Sequence, residues 1–65
     1  MKRLAEFVKE RRKEVNLTQE EFAEKLKISR THAGHVEQGR KSPSLKLMEK
    51  IAKVLKVKAK DILPF

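Results

Sequence analysis

Two histidines three positions apart, in the stretch SRTHAGHVEQG at residues 29–39, are the residues of this chain best suited to chemistry. His32 and His35 would share one side of a helix, because residues three apart are neighbours there. Such a pair fits part of a metal site, a catalytic pair, a pH-dependent switch, or a helix face shaped to contact another molecule. The choice between these interpretations decides the function that the sequence predicts.

The first two interpretations lack the other groups that they need. A zinc site normally takes three or four ligands, yet the chain has no cysteine and Glu37 is the only nearby carboxylate in the same segment. A catalytic pair needs a nucleophile with an orienting partner, and none is in view. We therefore predict no metal site, no cofactor and no enzyme activity. For His32 two interpretations stay open, a solvated side chain or one that touches a phosphate.

The charge of the chain indicates a polyanionic partner. Lys and Arg number 17 against 9 acidic residues, a net charge of +8 on 65 residues. This balance favours a nucleic acid or an anionic membrane surface. The net charge is +3 over residues 1–16, −1 over 17–38 and +6 over 39–65. The positive field thus comes from the two ends, so any specificity in the histidine segment has to come from particular side chains.

The length and the N-terminus limit the class of protein. A chain of 65 residues makes at most one domain with a small core. The charged start, MKRLAEFVKERRKE, has no apolar h-region and is not a signal peptide. No apolar run approaches the roughly 20 residues of a membrane-spanning helix. We expect a single domain over residues 1–65, in a soluble and cytoplasmic protein without a membrane partner.

Apolar residues at a period near 3.6 predict an all-α fold of five helices. The expected spans are about 2–14, 19–26, 30–38, a fourth helix after Ser44, and a last turn or two near Ile62. Hydroxyl caps mark three of the starts, at Thr18, Ser29 and Ser44. Expected core positions include Leu4, Phe7 and Val8 in the first helix, and Leu45, Met48, Ile51, Ala52 and Leu55 in the fourth.

The second and third helices form the unit that indicates function. A short helix, a turn of about three residues and a capped second helix make a helix-turn-helix over about 18–38. The second helix of such a unit, here about 30–38, can enter the major groove of DNA with its first residues on base edges.

Three segments carry a resemblance to a known family: LTQEEFAEKLKISR, VEQGRKSPSL and IAKVLKV. They resemble the phage-repressor/Cro type of helix-turn-helix protein, in register from Arg12 to Leu63. Arg-Thr followed by small residues is also similar to the controller proteins of restriction–modification systems. The resemblance implies a transcriptional regulator that binds double-stranded DNA at particular sequences. Lys27 and Lys56 depart from it, because glycine is common at both positions.

The resemblance also implies roles for individual residues. The residues expected to contact bases are Arg30, Thr31, Gly34 and His35, although Gly34 could equally be neutral. Those expected to contact phosphates are Gln19, Arg40, Lys41 and Ser42, joined by His32 if it is not simply solvated. Arg12 and Glu37 match a pair that forms a partly buried salt bridge in some relatives.

A cluster of apolar residues near the C-terminus predicts a partner surface: Val57, Ile62, Leu63 and Phe65. Relatives commonly bind as two-fold dimers, so we expect a homodimer on a near-palindromic operator, without a small-molecule ligand. The alternative is that Ile62 and Leu63 only close the core. Two other functions also stay open, namely a protein–protein module or antitoxin-type domain on the same fold, and nonspecific binding through charge alone.

Overall fold

Four α-helices make up most of the chain that the structure, a computed structural model, describes. It covers residues 2–62, without the side chains of Lys2 and Ala59. The helices are α1 (Lys2–Glu14), α2 (Gln19–Leu26), α3 (Arg30–Glu37) and α4 (Leu45–Leu55), followed by one 3-10 turn at Ala59–Asp61. No strand occurs within residues 2–62. The expected all-α class is therefore confirmed.

The prediction of a fifth helix is wrong for the described part of the chain. After α4, the backbone N–H of Asp61 donates to the Lys58 carbonyl at 2.9 Å. The Asp61 carboxylate in turn accepts from the Lys58 N–H at 3.2 Å. These two bonds form a single 3-10 turn at Ala59–Asp61, and Pro64, which has no backbone N–H, cannot donate a further bond to extend it.

Hydroxyl side chains set where three of the helices begin. Thr18, Ser29 and Ser44 each accept a bond of 3.0–3.1 Å from the backbone N–H three residues further on. Glu21 completes a capping box, because its carboxylate accepts from the Thr18 N–H at 2.9 Å. The three caps expected from the sequence are confirmed, and they place α2 and α3 on either side of residues 27–29.

Three helices are followed by a non-glycine residue in the left-handed region. The φ angles are 60° at Asn16, 59° at Lys27 and 58° at Lys56. Asparagine tolerates this conformation, whereas most side chains lose about 1–2 kcal/mol in it. A lysine near a helix C-terminus gains only about 0.3–1 kcal/mol from the helix dipole. Folding alone therefore favours glycine over lysine at positions 27 and 56.

The core lies where α1, α2 and α3 cover one face of α4. Its buried members are Leu4, Val8, Phe22, Leu26, Val36, Leu47, Met48, Ile51, Ala52, Leu55 and Ile62. Two predicted core residues are instead exposed, Phe7 at 37% and Leu45 at 53%. Phe7 lies about a third of a turn from the centre of the buried face of α1. Leu45 is the first residue of α4, so its side chain leans past the N-terminal end of the helix and beyond the core.

The predicted partner surface near the C-terminus is only partly described. Ile62 is 5% exposed and belongs to the core, and Val57 is half-buried against it. Burial of Ile62 within one protomer leaves little of its side chain to contact a second chain, which corrects its placement in a dimer interface. Leu63 and Phe65 lie outside the described residues.

Candidate nucleic-acid interface

Helix α3 has one face packed inward and one turned to solvent. Ala33 and Val36 are buried, and Phe22, Ala23 and Leu26 are the buried residues of α2. On the other side, Arg30, Thr31 and Gln38 are exposed, while Gly34 and His35 are half-exposed. We call these five residues the outer face of α3. Counted from Arg30, they occupy positions i, i+1, i+4, i+5 and i+8, which form a single stripe along a helix.

Two further residues lie beside this stripe. Gln19, the first residue of α2, and Arg40, just after α3, line the same shallow depression as the outer face of α3. The structure thus brings together six of the predicted contact residues, namely Arg30, Thr31, Gly34, His35, Gln19 and Arg40. Gln38 lines the depression too, and the sequence interpretation missed it. Its spacing of four from Gly34 and eight from Arg30 was the signal that could have found it.

Gly34 has no steric reason to be glycine within the protomer. A Cβ built there would lie 3.7 Å from Nε2 of Gln19, an ordinary van der Waals distance. A glycine inside a helix costs roughly 1 kcal/mol relative to alanine. The fold therefore has room for alanine, and the absence of a side chain leaves the floor of the depression open to an approaching molecule.

The remaining predicted contacts lie outside this depression. His32 is half-exposed and turns towards the start of α4, where it lines a separate depression with Ser44, Lys46 and Lys50. Lys41 and Ser42 are exposed in the connection between α3 and α4. The two histidines therefore face different surroundings despite their spacing. Among the described side chains, no three of His, Cys, Asp and Glu come together as metal ligands would.

A buried ion pair holds α3 against α1. Nε of Arg12 donates to Oε2 of Glu37 at 2.7 Å, and Nη1 of Arg12 donates to the Leu17 carbonyl at 2.7 Å. Arg12 is 9% exposed and Glu37 7% exposed, so this predicted pair is more deeply buried than expected. One guanidinium thus joins the end of α3 to the segment that leads into α2.

The second carboxylate oxygen of Glu37 makes this pair sensitive to substitution of Arg12. Oε1 of Glu37 is buried without a hydrogen-bond partner among the described residues. A buried carboxylate with one bonded oxygen depends strongly on its single cation, because removal of that partner leaves an uncompensated charge. The orientation of α3 relative to α1 therefore depends on Arg12.

At the start of α2, the side chain of Gln19 is the main group that could bond to a phosphate. The backbone N–H and the hydroxyl of Thr18 both bond to Glu21 and hold the pKa of its carboxyl below 4.5, with a smaller effect from Lys25. Glu21 is therefore ionised at neutral pH and already occupies the Thr18 N–H. A phosphate that approaches this end of the helix would meet the side-chain amide of Gln19, because the capping groups of Thr18 are already bonded to Glu21.

None of the helices within residues 2–62 combines the length and the apolar character that a membrane span requires.

Comparison with known proteins supports the family resemblance. Residues 8–62 match the family model described as helix-turn-helix. Over 58 residues the chain is 43% identical to an HTH-type transcriptional regulator of Archaeoglobus fulgidus, covering 89% of this chain and 82% of the relative. Over 51 residues it is 43% identical to the ImmF control region 10 kDa protein of Bacillus phage phi105, covering 78% of this chain and 57% of the relative.

A solved structure extends the likeness to the fold. The restriction-modification controller protein C.AhdI from Aeromonas hydrophila is similar with a TM-score of 0.88 and 26% sequence identity, over 95% of this chain and 94% of that chain. The predicted likeness to phage regulators and to restriction–modification controllers is confirmed by these matches. These three relatives are regulators and control proteins, which indicates a role other than catalysis.

Proposed function

The chain belongs to the helix-turn-helix family, and from this premise we propose that it regulates transcription by binding double-stranded DNA at particular sequences in the cytoplasm. The observation that carries the proposal is the depression shared by the outer face of α3, Gln19 and Arg40. A helix with one exposed polar stripe, flanked by groups that bind phosphate, is the arrangement that enters the major groove.

Base reading is assigned to the outer face of α3. Arg30 can bond both acceptors of a guanine, and Thr31 can offer its hydroxyl to a base or its methyl group to thymine. His35 lies one turn further along the same stripe. Gln38 adds an amide of the type that bonds both polar groups of an adenine edge. Gly34, between these side chains, lets the helix backbone come close to the base pairs.

Phosphate contacts are assigned to the residues around this stripe. Gln19 and Arg40 lie at the two sides of the depression, and Lys41 and Ser42 are exposed beyond Arg40. His32, with Lys46 beside it, faces the start of α4. Such contacts fix the register of the protein on the duplex but do not read sequence. The net charge of +8 adds a salt-dependent attraction to any DNA.

The test compares a base-reading residue with a phosphate-binding residue. The operator is first obtained by in vitro selection from random duplexes. On the selected site, Arg30→Ala should weaken binding by about 1–3 kcal/mol and relax preference at one base pair. Lys41→Ala should weaken binding to every sequence about equally and reduce the salt slope by about one. Each affinity is measured at several salt concentrations.

Three results would contradict the proposal. Unchanged base preference in Arg30→Ala would remove the base-reading role of α3. Equal affinity for all duplexes, lost in parallel as salt increases, would indicate binding by charge alone. Failure of the selection to enrich any sequence would favour the protein–protein or antitoxin-type alternative on this fold.

A further inference from the structure

Lysines surround a third depression, which shares no residue with the one beside α3 and shares only Lys27 and Lys50 with the one beside His32. Its apolar floor consists of Val15, Leu17 and Val54, all half-buried against the core. The floor lies where the C-terminal ends of α1, α2 and α4 meet. A second hollow adjoins the first and shares Val54, Lys25 and Lys53 with it. We call this surface the lysine groove, and its exposed rim residues are Lys25, Lys27, Lys50, Lys53 and Lys56.

The rim lysines carry charge that the described chain leaves largely uncompensated. Within residues 2–62, ion pairs shorter than 4.0 Å form only between Arg11 and Glu14 and between Arg12 and Glu37. No acidic residue lines either hollow. The bonds from Thr18 are the main cause that lowers the pKa of Glu21, and the charge of Lys25 lowers it by a smaller amount. The groove is therefore an apolar surface inside a positive rim.

Backbone strain at this rim also indicates that the groove is a functional surface. Lys27 and Lys56 are the two lysines with left-handed φ angles, 59° and 58°, and both line the groove. Because folding alone favours glycine at these positions, their side chains are retained at a conformational cost. Strain of this kind is a sign of function when the strained residues gather at one site.

We propose that the lysine groove binds an acidic, amphipathic segment of a partner protein. Apolar side chains of the segment would cover Val15, Leu17 and Val54, while flanking carboxylates pair with the rim lysines. A second copy of this chain fits poorly, because it has 9 acidic residues against 17 basic ones and offers the rim lysines little negative charge. A bare nucleic-acid backbone supplies the negative charge but no aliphatic group for the floor.

The groove is placed so that a partner and DNA can bind together. Gln19 and Lys25 lie at opposite ends of α2, about 9 Å apart along its axis and about 120° apart around it. The outer face of α3 stays open when the groove is filled. The proposal gives the DNA-bound protein a contact with another protein, and it holds whether or not α3 reads sequence.

The experiment uses the full chain and a defined probe. The probe is a fluorescein-labelled peptide with two leucines flanked by aspartates and glutamates, and a second peptide has serine at both leucine positions. Binding is measured by fluorescence anisotropy and located by amide chemical-shift changes. The groove variant is Lys25→Glu with Lys53→Glu. The matched control, Lys9→Glu with Lys13→Glu, makes the same charge change on exposed positions of α1.

The expected result is specific to the groove and to its floor. The groove variant should bind the leucine peptide about tenfold more weakly, whereas the control pair changes affinity less than about twofold. The serine peptide should bind about fivefold more weakly than the leucine peptide. Chemical shifts should move around Val54 and Lys56, and saturation with a DNA duplex should leave peptide affinity intact. Circular dichroism confirms that both variants stay folded.

Five results would overturn the proposal. Equal losses in the groove and control variants, or equal affinity for the two peptides, would mean attraction by net charge alone. Shifts confined to the outer face of α3 would place the acidic peptide on the DNA-binding surface. Displacement of the peptide by DNA would make the groove part of the nucleic-acid interface. Concentration-dependent shifts in the groove without peptide would identify a second copy as its occupant.

Discussion

Gly34 is the residue at which the fold and the proposed function have opposite requirements. Nothing in the protomer excludes a Cβ there, since the nearest atom outside its own helix, Nε2 of Gln19, is 3.7 Å away. Stability favours alanine in the middle of a helix. Close approach to base pairs favours glycine, because any side chain at this point fills the depression between Arg30 and His35.

The substitution Gly34→Ala should therefore separate the two requirements. We expect it to raise the free energy of unfolding by about 0.5–1 kcal/mol and to weaken operator binding. The chain offers a matched control in its other glycine, Gly39, whose φ is 74°. Gly39→Ala should destabilise, because alanine is strained there. Thermal melts and operator titrations measure both effects, and tighter binding by Gly34→Ala would refute the close approach.

Glu21 predicts a pH dependence with a definite sign. Bonds from the Thr18 backbone and hydroxyl lower its pKa below 4.5 in the folded state. A lowered carboxyl pKa contributes stability that is present above the unfolded value and is lost as pH falls through the folded value. Glu21→Gln should therefore lose less stability on acidification than the unchanged chain, as measured by urea unfolding between about pH 3 and 6.

An NMR titration of the Glu21 carboxyl checks whether the bonds to Thr18 lower its pKa. Thr18→Ala should raise the pKa only in part, because it removes the hydroxyl bond and keeps the backbone bond, which has the larger effect. A pKa unchanged by Thr18→Ala would show that the hydroxyl has no influence on the charge of Glu21.

At the scale of elements, the sequence predicted most accurately the features that depend on interactions between residues close in the chain. The helix starts follow from hydroxyl caps that act within three residues, so Thr18, Ser29 and Ser44 were identifiable without tertiary information. Periodicity did not exclude a fifth helix, because the apolar spacing near Ile62 does not show that the described segment forms only one 3-10 turn.

Contacts between elements account for what the sequence pattern missed. Periodicity identifies the apolar side of α1 and of α4 but not how far the buried surface extends around or along each helix. Phe7 and Leu45 were therefore expected in the core. The two histidines are three positions apart, yet His32 lies beside the start of α4, whereas His35 lies in the depression with Gln19 and Arg40. The lysine groove emerges only once the helices are packed.

The pair between α1 and α3 predicts a strong coupling between two distant positions. Removal of either Arg12 or Glu37 should cost on the order of 3–5 kcal/mol, because the other charge stays buried without its partner. A double-mutant cycle with Arg12→Met and Glu37→Met should show that the double variant loses far less than the sum. Urea unfolding of the four proteins gives the coupling energy.

The chain supplies a surface pair as the control. Arg11 and Glu14 lie 3.8 Å apart, with Arg11 half-buried and Glu14 exposed, and pairs that water reaches typically contribute about 0–1 kcal/mol. If the coupling between Arg12 and Glu37 were as small as that of Arg11 and Glu14, the buried pair would not hold α3 in place.

At the scale of the whole molecule, one protomer is too small to read a long site. Its longest dimension is 28 Å, and a single recognition helix covers only a few base pairs. Two protomers side by side can place their α3 helices about 34 Å apart, one turn of the duplex, on a near-palindromic operator. We therefore propose a homodimer on DNA, with Val57 near the two-fold axis.

Titration onto a palindromic site should give two protomers per site with cooperative binding. Phe65→Asp should weaken the cooperativity and leave the fold intact. Ile62→Asp should unfold the protomer instead, since the Ile62 side chain is 5% exposed in the core. Gel-shift stoichiometry and sedimentation measure the two effects. Full-affinity binding of one protomer to a half-site would exclude the dimer.

The short connections between the helices have a consequence for turnover in the cell. Residues 15–18, 27–29 and 38–44 are the only chain between consecutive α-helices, so most pairings are local and little loop entropy opposes folding. Helical domains of this kind refold in microseconds to milliseconds. When reclosing outpaces cleavage, a protease samples the equilibrium unfolded population, not the unfolding rate. The lifetime of the regulator then follows its free energy of unfolding, and a change of about 1.4 kcal/mol alters the susceptible fraction tenfold.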